Sequence, residues 1–123
     1  MSDSRNRRIE SELQRVLAEL LAREVKDPRV GNVTITGVAL SPDLATARVF
    51  FVPFASGQQG QAVHEVQEVQ EGLTRAAGFL RGQAGRRLGL RHAPRLAFEF
   101  DDSFDRAARL TDLIDRATGR RDD

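Results

Sequence analysis

The sequence predicts an α+β domain in which helices pack on one face of a three-stranded sheet. Apolar residues recur at helical spacing in two segments, from about Ser4 to Lys26 and from about Gln61 to Leu90. Asn32–Leu40 and Ala45–Val52 are instead rich in strand-forming residues, and Leu96–Asp101 alternates cleanly between apolar and polar side chains. With 123 residues, 40% of them hydrophobic, the chain can bury one core, so we expect residues 1–123 to form a single domain.

Turn residues separate these elements. Pro28 ends the first helix, because the residue before a proline is driven out of the helical region. The first strand changes phase around Gly37, which predicts a β-bulge there. Ser41–Leu44 has the composition of a tight turn, so the first two strands are predicted to form an antiparallel hairpin, which Pro53 ends.

Glycines interrupt the second helical segment at positions 72, 78, 82, 85 and 89. Each can cost a helix interior up to about 1 kcal/mol, so the segment is predicted to form two helices, broken or kinked near Gly78. Ser103 is the predicted cap of a last helix after the third strand. The predicted order is therefore helix, strand, strand, helix, kink, helix, strand, helix, with residues 1–4 and 119–123 frayed.

Composition argues against several classes of protein. The chain has no cysteine, which excludes disulfides and thiolate metal sites and fits a reducing compartment. The segment Met1–Glu10 is polar and charged, unlike a secretory signal, and no apolar run approaches the ~20 residues that span a bilayer. We therefore expect a cytoplasmic protein that does not associate with a membrane.

Charge is distributed unevenly, although the net charge is only +1. All but one of the 19 basic residues are arginine, an excess that genomic codon bias explains equally well. The distribution is more informative, because Leu73–Leu96 contains no acidic residue, whereas the preceding helical stretch carries Glu65, Glu68 and Glu71 and no base. This acid-free segment contains six arginines: Arg75, Arg81, Arg86, Arg87, Arg91 and Arg95.

A segment rich in arginine and glycine is typical of a phosphate-binding surface. Arginine presents a planar fork of donors and neutralises nucleic-acid phosphates. Glycine lets a polyanion approach the main chain closely. The competing interpretation is a solvated helix face that lacks acids. All seven aromatic residues are Phe, which favours recognition of a nucleic-acid backbone and its shape over stacking on bases.

Other functions have less support in the sequence. His64 and His92 lack partners at metal-ligand spacing. Asp101, Asp102 and Asp105 are better explained as acids at a helix N-terminus than as a metal or nuclease site. We therefore expect no catalytic residue, no metal and no cofactor. A DNA-binding or protein-interaction module is a further alternative, although no recognition-helix pattern is evident.

The order of elements and several short motifs resemble a known family. A strand–helix–helix–strand core with glycine at the helix junction resembles the K-homology fold in its bacterial, type II arrangement, but Ala76–Ala77–Gly78 stands in place of the usual GxxG loop. That junction resembles the ribosome-binding factor A family, as does Glu24–Val30 after the first helix. Further matches, within residues 8–117, are Val38, Ser41, Asp43, Leu44, Ala47, Val49, Phe79, Leu80, Arg81, Pro94, Leu96, Phe98, Asp101 and Ser103.

The resemblance implies a non-catalytic assembly factor that binds free or immature small (30S) ribosomal subunits through 16S rRNA. Members of the family support late maturation of the subunit and processing of the 16S rRNA ends, and they often leave with help from an assembly GTPase. We expect a monomer with these partners. The alternative is a generic K-homology-like module for nucleic acid or protein that is not tied to the ribosome.

The expected RNA-binding residues include two small ones, Ala76 and Gly78, which would shape the helix junction and bring RNA near the backbone. The turn after the first helix is a further candidate, unless Asp27 caps or pairs locally and the turn is purely structural. The expected phosphate contacts are Arg81, Arg86, Arg87 and Arg91 first, Arg75 and Arg95 at the edges of the acid-free segment, and Lys26 and Arg29 in the turn.

Overall fold

A computed structural model describes residues 2–31, 33–53 and 63–103 of the chain. It confirms the predicted α+β class and the three-stranded sheet. The assignment of residues 1–123 to one domain stays a prediction, and the predicted last helix after Ser103 lies outside the described residues. The elements are α1 (Ser2–Arg23), a 3-10 helix (Pro28–Val30), β1 (Thr34–Leu40), β2 (Thr46–Val52), α2 (Val63–Leu88) and β3 (Arg95–Phe100).

The sheet has the order β1-β2-β3, so β2 is the central strand. β1 and β2 form the predicted antiparallel hairpin, in which Val38 pairs with Val49. β3 lies parallel to β2, with Phe98 also opposite Val49. Parallel neighbours need a long crossover connection, and the segment that contains α2 supplies it.

A bulge in β1 is confirmed close to its predicted position. The register shifts between Ile35 and Gly37, which leaves Thr36 as the extra residue. Because of this shift, Ile35 lies opposite Phe51 and Val38 lies opposite Val49. In a regular strand Ile35 and Val38 would point to opposite faces of the sheet, but the bulge places them on the same face.

Both helices pack on this face of the sheet. On β2, Ala47, Val49 and Phe51 are fully buried, and the core continues into β3 through Leu96 and Phe98. The helices contribute fully buried leucines to the same cluster: Leu13, Leu17 and Leu20 from α1, and Leu73 and Leu80 from α2. No helix in the described part of the chain is long and apolar enough to cross a membrane.

The prediction of two helices broken near Gly78 is wrong, because α2 is one unbroken helix from Val63 to Leu88. The alternative form of that prediction, a kink at Gly78 within one helix, stays a prediction. The buried face of α2, which includes Leu73 and Leu80, explains why the glycines do not divide it. Burying one leucine side chain contributes about 1.5–3 kcal/mol. A glycine costs the helix only about 1 kcal/mol.

Candidate nucleic-acid interface

Glycines form a stripe along the outer face of α2. Gly78, Gly82 and Gly85 recur at steps of four and three residues, which places them on one side of a helix with 3.6 residues per turn, and Gly89 follows directly after the helix ends at Leu88. That side is opposite the buried leucines of α2. The stripe forms the floor of an open groove of about 530 Å³, lined also by Arg81, Arg86, Leu90, Arg91, His92 and Ala93.

The far wall of the groove is the segment that leads from α2 to β3. Gly89 ends α2 with a φ of +64°, a left-handed conformation that glycine adopts without strain. The amide of Leu90 then donates to the Gly85 carbonyl at 2.9 Å and turns the chain back along the helix. Ala93 packs so closely on α2 that a Cβ at Gly85 would lie 3.0 Å from the Ala93 Cβ. Glycine at 85 and at 89 therefore allows the wall segment to turn back and to lie close against α2.

Three of the predicted arginines line the groove. Arg81 donates from Nε and Nη2 to the Ala93 carbonyl at 3.1 and 3.0 Å, so it holds the far wall as well as presenting charge. Arg86 and Arg91 are exposed, and within the described ranges neither side chain has an ion pair or hydrogen bond. Gly78 lies in the floor of the same groove. The structure thus brings together Gly78, Arg81, Arg86 and Arg91.

Arg87 does not line the groove, because adjacent residues of a helix are 100° apart around its axis. Its Nη1 contacts Glu19 Oε1 of α1 at 3.0 Å. The same carboxylate lies 3.6 Å from Arg15 Nη1. Arg87 therefore lies at the junction of the two helices, where it is half-exposed and shares Glu19 with Arg15.

A second hollow, of about 340 Å³, lies beside the groove on α2. The structure places three of the predicted site residues here, Lys26, Arg75 and Ala76. Its lining also contains Glu24, Val25, Asp27, Gly72 and Phe79.

The turn after α1 is held by an ion pair. Asp27 caps the 3-10 helix by accepting from the Arg29 amide at 2.9 Å, and it also accepts from the Arg29 guanidinium at 2.6 Å. These hydrogen bonds lower the pKa of Asp27 from its usual 3.8 to about 2. Arg29 Nη1 also lies 3.6 Å from Glu71 Oε1 of α2. The turn was a candidate either for RNA contact or for a purely structural role. The structural role accounts for the contacts of the Arg29 side chain with Asp27 and Glu71.

Arg95 lies apart from both hollows. It is the first residue of β3, and its amide donates to the Ala45 carbonyl at 2.8 Å, next to the hairpin turn. The exposed Arg95 side chain lines neither the groove nor the second hollow.

Asp101 has structural partners. Its Oδ2 accepts from the Thr36 hydroxyl in the β1 bulge at 2.6 Å, and its Oδ1 accepts from the Ser103 amide at 3.0 Å. Among the described residues, no group of three or more His, Asp or Glu is arranged to hold a metal ion. His64 lies outside the residues whose side chains are described, as does Asp105.

Sequence reasoning missed Phe79, which is 44% exposed beside the second hollow. The helical periodicity could have indicated its exposure, because Phe79 directly precedes the buried Leu80 and so points 100° away from it around the helix axis. The family resemblance included Phe79 only as part of a motif, and the composition argument used the seven Phe residues only as evidence against base stacking.

The fold and this surface define a class of protein: a small α+β domain with an arginine-rimmed, glycine-floored groove on a helix outside its core. The family model of ribosome-binding factor A matches residues 5–114. Because that match spans most of the chain, the protein belongs to the ribosome-binding factor A family.

Named relatives and solved structures agree with this assignment. Ribosome-binding factor A of Thioalkalivibrio sulfidiphilus is 50% identical over 93% of this chain and 84% of its own. The protein of the same name from Pseudomonas entomophila is 50% identical over 93% and 83%. The crystal structure of ribosome-binding factor A from Thermus thermophilus superposes with a TM-score of 0.62 at 29% identity, over 76% of this chain and 93% of its own. A homology model of the Thermus thermophilus protein fitted into a cryo-EM map of its 30S complex has a TM-score of 0.59 at 28% identity, over 77% and 93%.

Proposed function

We propose that this protein is a non-catalytic assembly factor that binds free or immature small ribosomal subunits through 16S rRNA. In this role it supports late maturation of the subunit and processing of the 16S rRNA ends. Two kinds of finding support the proposal. The relatives are named ribosome-binding factors, and the Thermus thermophilus protein has been fitted into a 30S complex. The observation that carries it is the groove on α2.

At Gly78, unlike at Gly85 and Gly89, the groove keeps glycine where the fold does not need it. A Cβ at Gly78 would meet nothing within 4 Å, so no neighbour in the described structure requires glycine there. Glycine in a helix interior costs about 0.5–1 kcal/mol relative to alanine. Local rules that are broken without benefit to the fold tend to mark functional sites. The benefit here is close approach of a ligand to the helix backbone.

The rim of the groove suits a polyanion. Arg81, Arg86 and Arg91 lie around the glycine floor, and the acid-free segment places no carboxylate among them. Arginine forks bind phosphate oxygens with charge-assisted hydrogen bonds. We therefore assign Arg86 and Arg91 as the principal phosphate contacts, with Arg81 both shaping the groove and binding. Gly78 gives access to the backbone, and the further proposed contacts are Arg75, Ala76, Arg87, Arg95, Lys26 and Arg29.

The finer parts of the proposal rest on the family rather than on contacts in this structure. They are that the protein acts as a cytoplasmic monomer, and that an assembly GTPase working on the same subunit helps to release it. The competing function is a generic nucleic-acid module, which would bind unrelated RNA as well as it binds the small subunit.

Co-sedimentation with purified small subunits over a salt series tests this function. Arg86→Glu should weaken binding by at least about tenfold and reduce the log–log salt slope by about 0.7, the contribution of one phosphate contact on single-stranded RNA. The proposal would be overturned if the affinity of the wild-type protein for small subunits did not change with salt. Equal binding to large subunits or to unrelated RNA would overturn it as well.

Arg7→Glu is the matched control, because it makes the same change of charge elsewhere. Arg7 is exposed on α1 and lies two turns before Gln14, on the same side of the helix. The Gln14 side chain donates to the Ile35 carbonyl of β1, so this flank of α1 is on the side of the hairpin, away from the groove. Binding by Arg7→Glu should stay within about twofold of the wild type, whereas an equal loss in both variants would show that only net charge matters.

A further inference from the structure

An apolar hollow lies next to the glycine-floored groove, between the C-terminal end of α1 and the middle of α2. Its wall includes Val25, Ala76 and Phe79, and its volume is about 340 Å³. That volume is at the lower end of the ~300–1,000 Å³ usual for small-molecule sites. The hollow is therefore large enough for one flat ring system against the Phe79 ring.

Phe79 is exposed in a place where the fold gains little from an aromatic side chain. It is 44% exposed, one of two large hydrophobic residues of the described chain that are exposed to this extent. Its neighbour Leu80 is fully buried, so α2 already anchors itself to the core at this turn. An aromatic ring that remains accessible beside a hollow is available to bind a ligand.

The rim of the hollow is cationic. Lys26 and Arg75 line it, and in the described structure neither side chain has an ion pair or hydrogen bond with another residue. Two acids also line it, but the Asp27 carboxylate is bound to Arg29. Glu24 is the other acid, and Asp27 also attracts Arg75 although it is bonded to Arg29. Two cations therefore face one acid that has no bonded partner in the described structure, which leaves a positive rim around an apolar wall. This combination suits a ligand with a flat apolar face and a negative charge.

The hollow and the groove are neighbours on α2, although they share no lining residue. Gly78, in the floor of the groove, directly precedes Phe79, and Arg75 lies one turn earlier on the same side as both. A strand whose phosphates follow the groove can therefore direct one base across Arg75 into the hollow. A nucleotide matches both features, because its base is flat and its phosphate is charged.

We propose that the hollow holds one unpaired base of the bound RNA, stacked on Phe79, with the adjoining phosphate near Arg75 and Lys26. This rests on the proposed function, since the groove must first bind RNA. It also revises the expectation from composition, which favoured recognition of backbone and shape over stacking on bases. Every base has a π-face, so the stacking requires an unpaired nucleotide but no particular base.

Two RNA probes separate the base from the phosphates: a single-stranded oligouridylate, and an abasic ribose-phosphate oligomer of equal length. Wild-type protein should bind the oligouridylate more tightly. Phe79→Ala should weaken oligouridylate binding about tenfold, the usual effect of removing one stacking ring, and leave binding to the abasic oligomer unchanged. Its log–log salt slope should also stay at the wild-type value, because no phosphate contact is lost.

Three control variants complete the experiment. Phe79→Leu keeps an apolar side chain without the ring and should bind the oligouridylate as weakly as Phe79→Ala. Leu44→Ala truncates the other exposed hydrophobic residue, 39% exposed in the hairpin turn, and should change neither affinity. Arg86→Glu should weaken binding to both oligomers. All variants are compared with the wild type by thermal unfolding, and Phe79→Leu preserves the test if Phe79→Ala melts early.

Each contrary outcome has a distinct meaning. If Arg86→Glu weakens binding but Phe79→Ala does not, the groove binds RNA and the base pocket is wrong. If Phe79→Leu restores full affinity, the contact is apolar packing and stacking is wrong. If Phe79→Ala weakens binding to intact small subunits but not to either oligomer, the hollow takes a protein side chain instead. If neither variant affects any probe, the proposed function itself fails.

Discussion

At the scale of single residues, Asp27 combines two structural tasks in one carboxylate. It caps the 3-10 helix through the Arg29 amide and pairs with the Arg29 guanidinium. Arg29 in turn reaches Glu71 of α2. A residue predicted as an RNA contact thus ties the turn after α1 to α2, and its charge is already engaged.

This pairing predicts a pH dependence of stability. The pKa of Asp27 in the folded chain is about 2, below its usual 3.8, so its contribution is fully present above about pH 4 and is lost as the pH falls toward 2. Asp27→Asn keeps a capping oxygen but removes the ion pair. The variant should be less stable than the wild type at pH 6, and the two should converge as the pH falls toward 2.

Urea unfolding followed by circular dichroism across this pH range measures the difference. The pKa of Asp43 and that of Glu99 are also lowered, by hydrogen bonds from the Ala45 amide and from Arg48 respectively, so total acid sensitivity does not report on Asp27 alone. Subtracting the two stability curves removes those contributions. A constant difference at all pH values would show that the pair does not stabilise the fold.

At the scale of elements, α2 shows what a sequence pattern can and cannot predict. Its helical spacing correctly indicated a helix, and the phase slip at Gly37 correctly indicated the β1 bulge. The glycines suggested a break because helix propensity alone takes no account of the core packing that holds the helix together. Gly85 packs against Ala93, a residue outside the helix, and no local pattern contains that contact.

Gly78 and Gly72 should respond in opposite ways to alanine. At Gly78 a methyl group meets nothing within 4 Å, so Gly78→Ala should stabilise the fold by about 0.5–1 kcal/mol through helix propensity. The same methyl group narrows the groove, so binding to small subunits should weaken. Urea unfolding and co-sedimentation measure the two effects, and a variant that is more stable and binds normally would show that the groove floor is not used.

Gly72→Ala is the matched substitution on the inner side of the same helix. Its Cβ would lie 3.0 Å from Val30 Cγ1 and 3.3 Å from Arg29 Cβ, where the turn packs on α2. Overpacking of this kind typically costs about 1–3 kcal/mol, which exceeds the gain in propensity. Gly72→Ala should therefore lower the urea midpoint, and an increase would mean that the turn moves away freely.

At the scale of the whole molecule, the sequence indicated the charged segment and the order of the elements. It did not indicate which face of the fold each side chain lies on. The acid-free segment identified the arginines, but Arg86 lines the groove while Arg87 turns toward α1. That division depends on the rotation of α2 about its axis and on the position of α1, which distant core residues fix. Phe79 was overlooked for the same reason.

The arrangement of charge between the two helices leads to a last prediction. Glu19 lies 3.0 Å from Arg87 and 3.6 Å from Arg15, so one acid restrains two arginines beside the proposed interface. Exposed ion pairs contribute only about 0–1 kcal/mol, so Glu19→Gln should leave stability nearly unchanged. It should tighten binding to small subunits several-fold at low salt, because both guanidinium groups become available to phosphate.

Glu12→Gln provides the control for this prediction. It removes the same charge from an exposed position seven residues earlier on the same side of α1, where no side-chain partner is described. Co-sedimentation over a salt series should show a steeper log–log slope for Glu19→Gln than for Glu12→Gln, since only the first releases paired arginines. If both variants tighten binding equally, long-range attraction accounts for the gain, and Arg87 makes no direct phosphate contact.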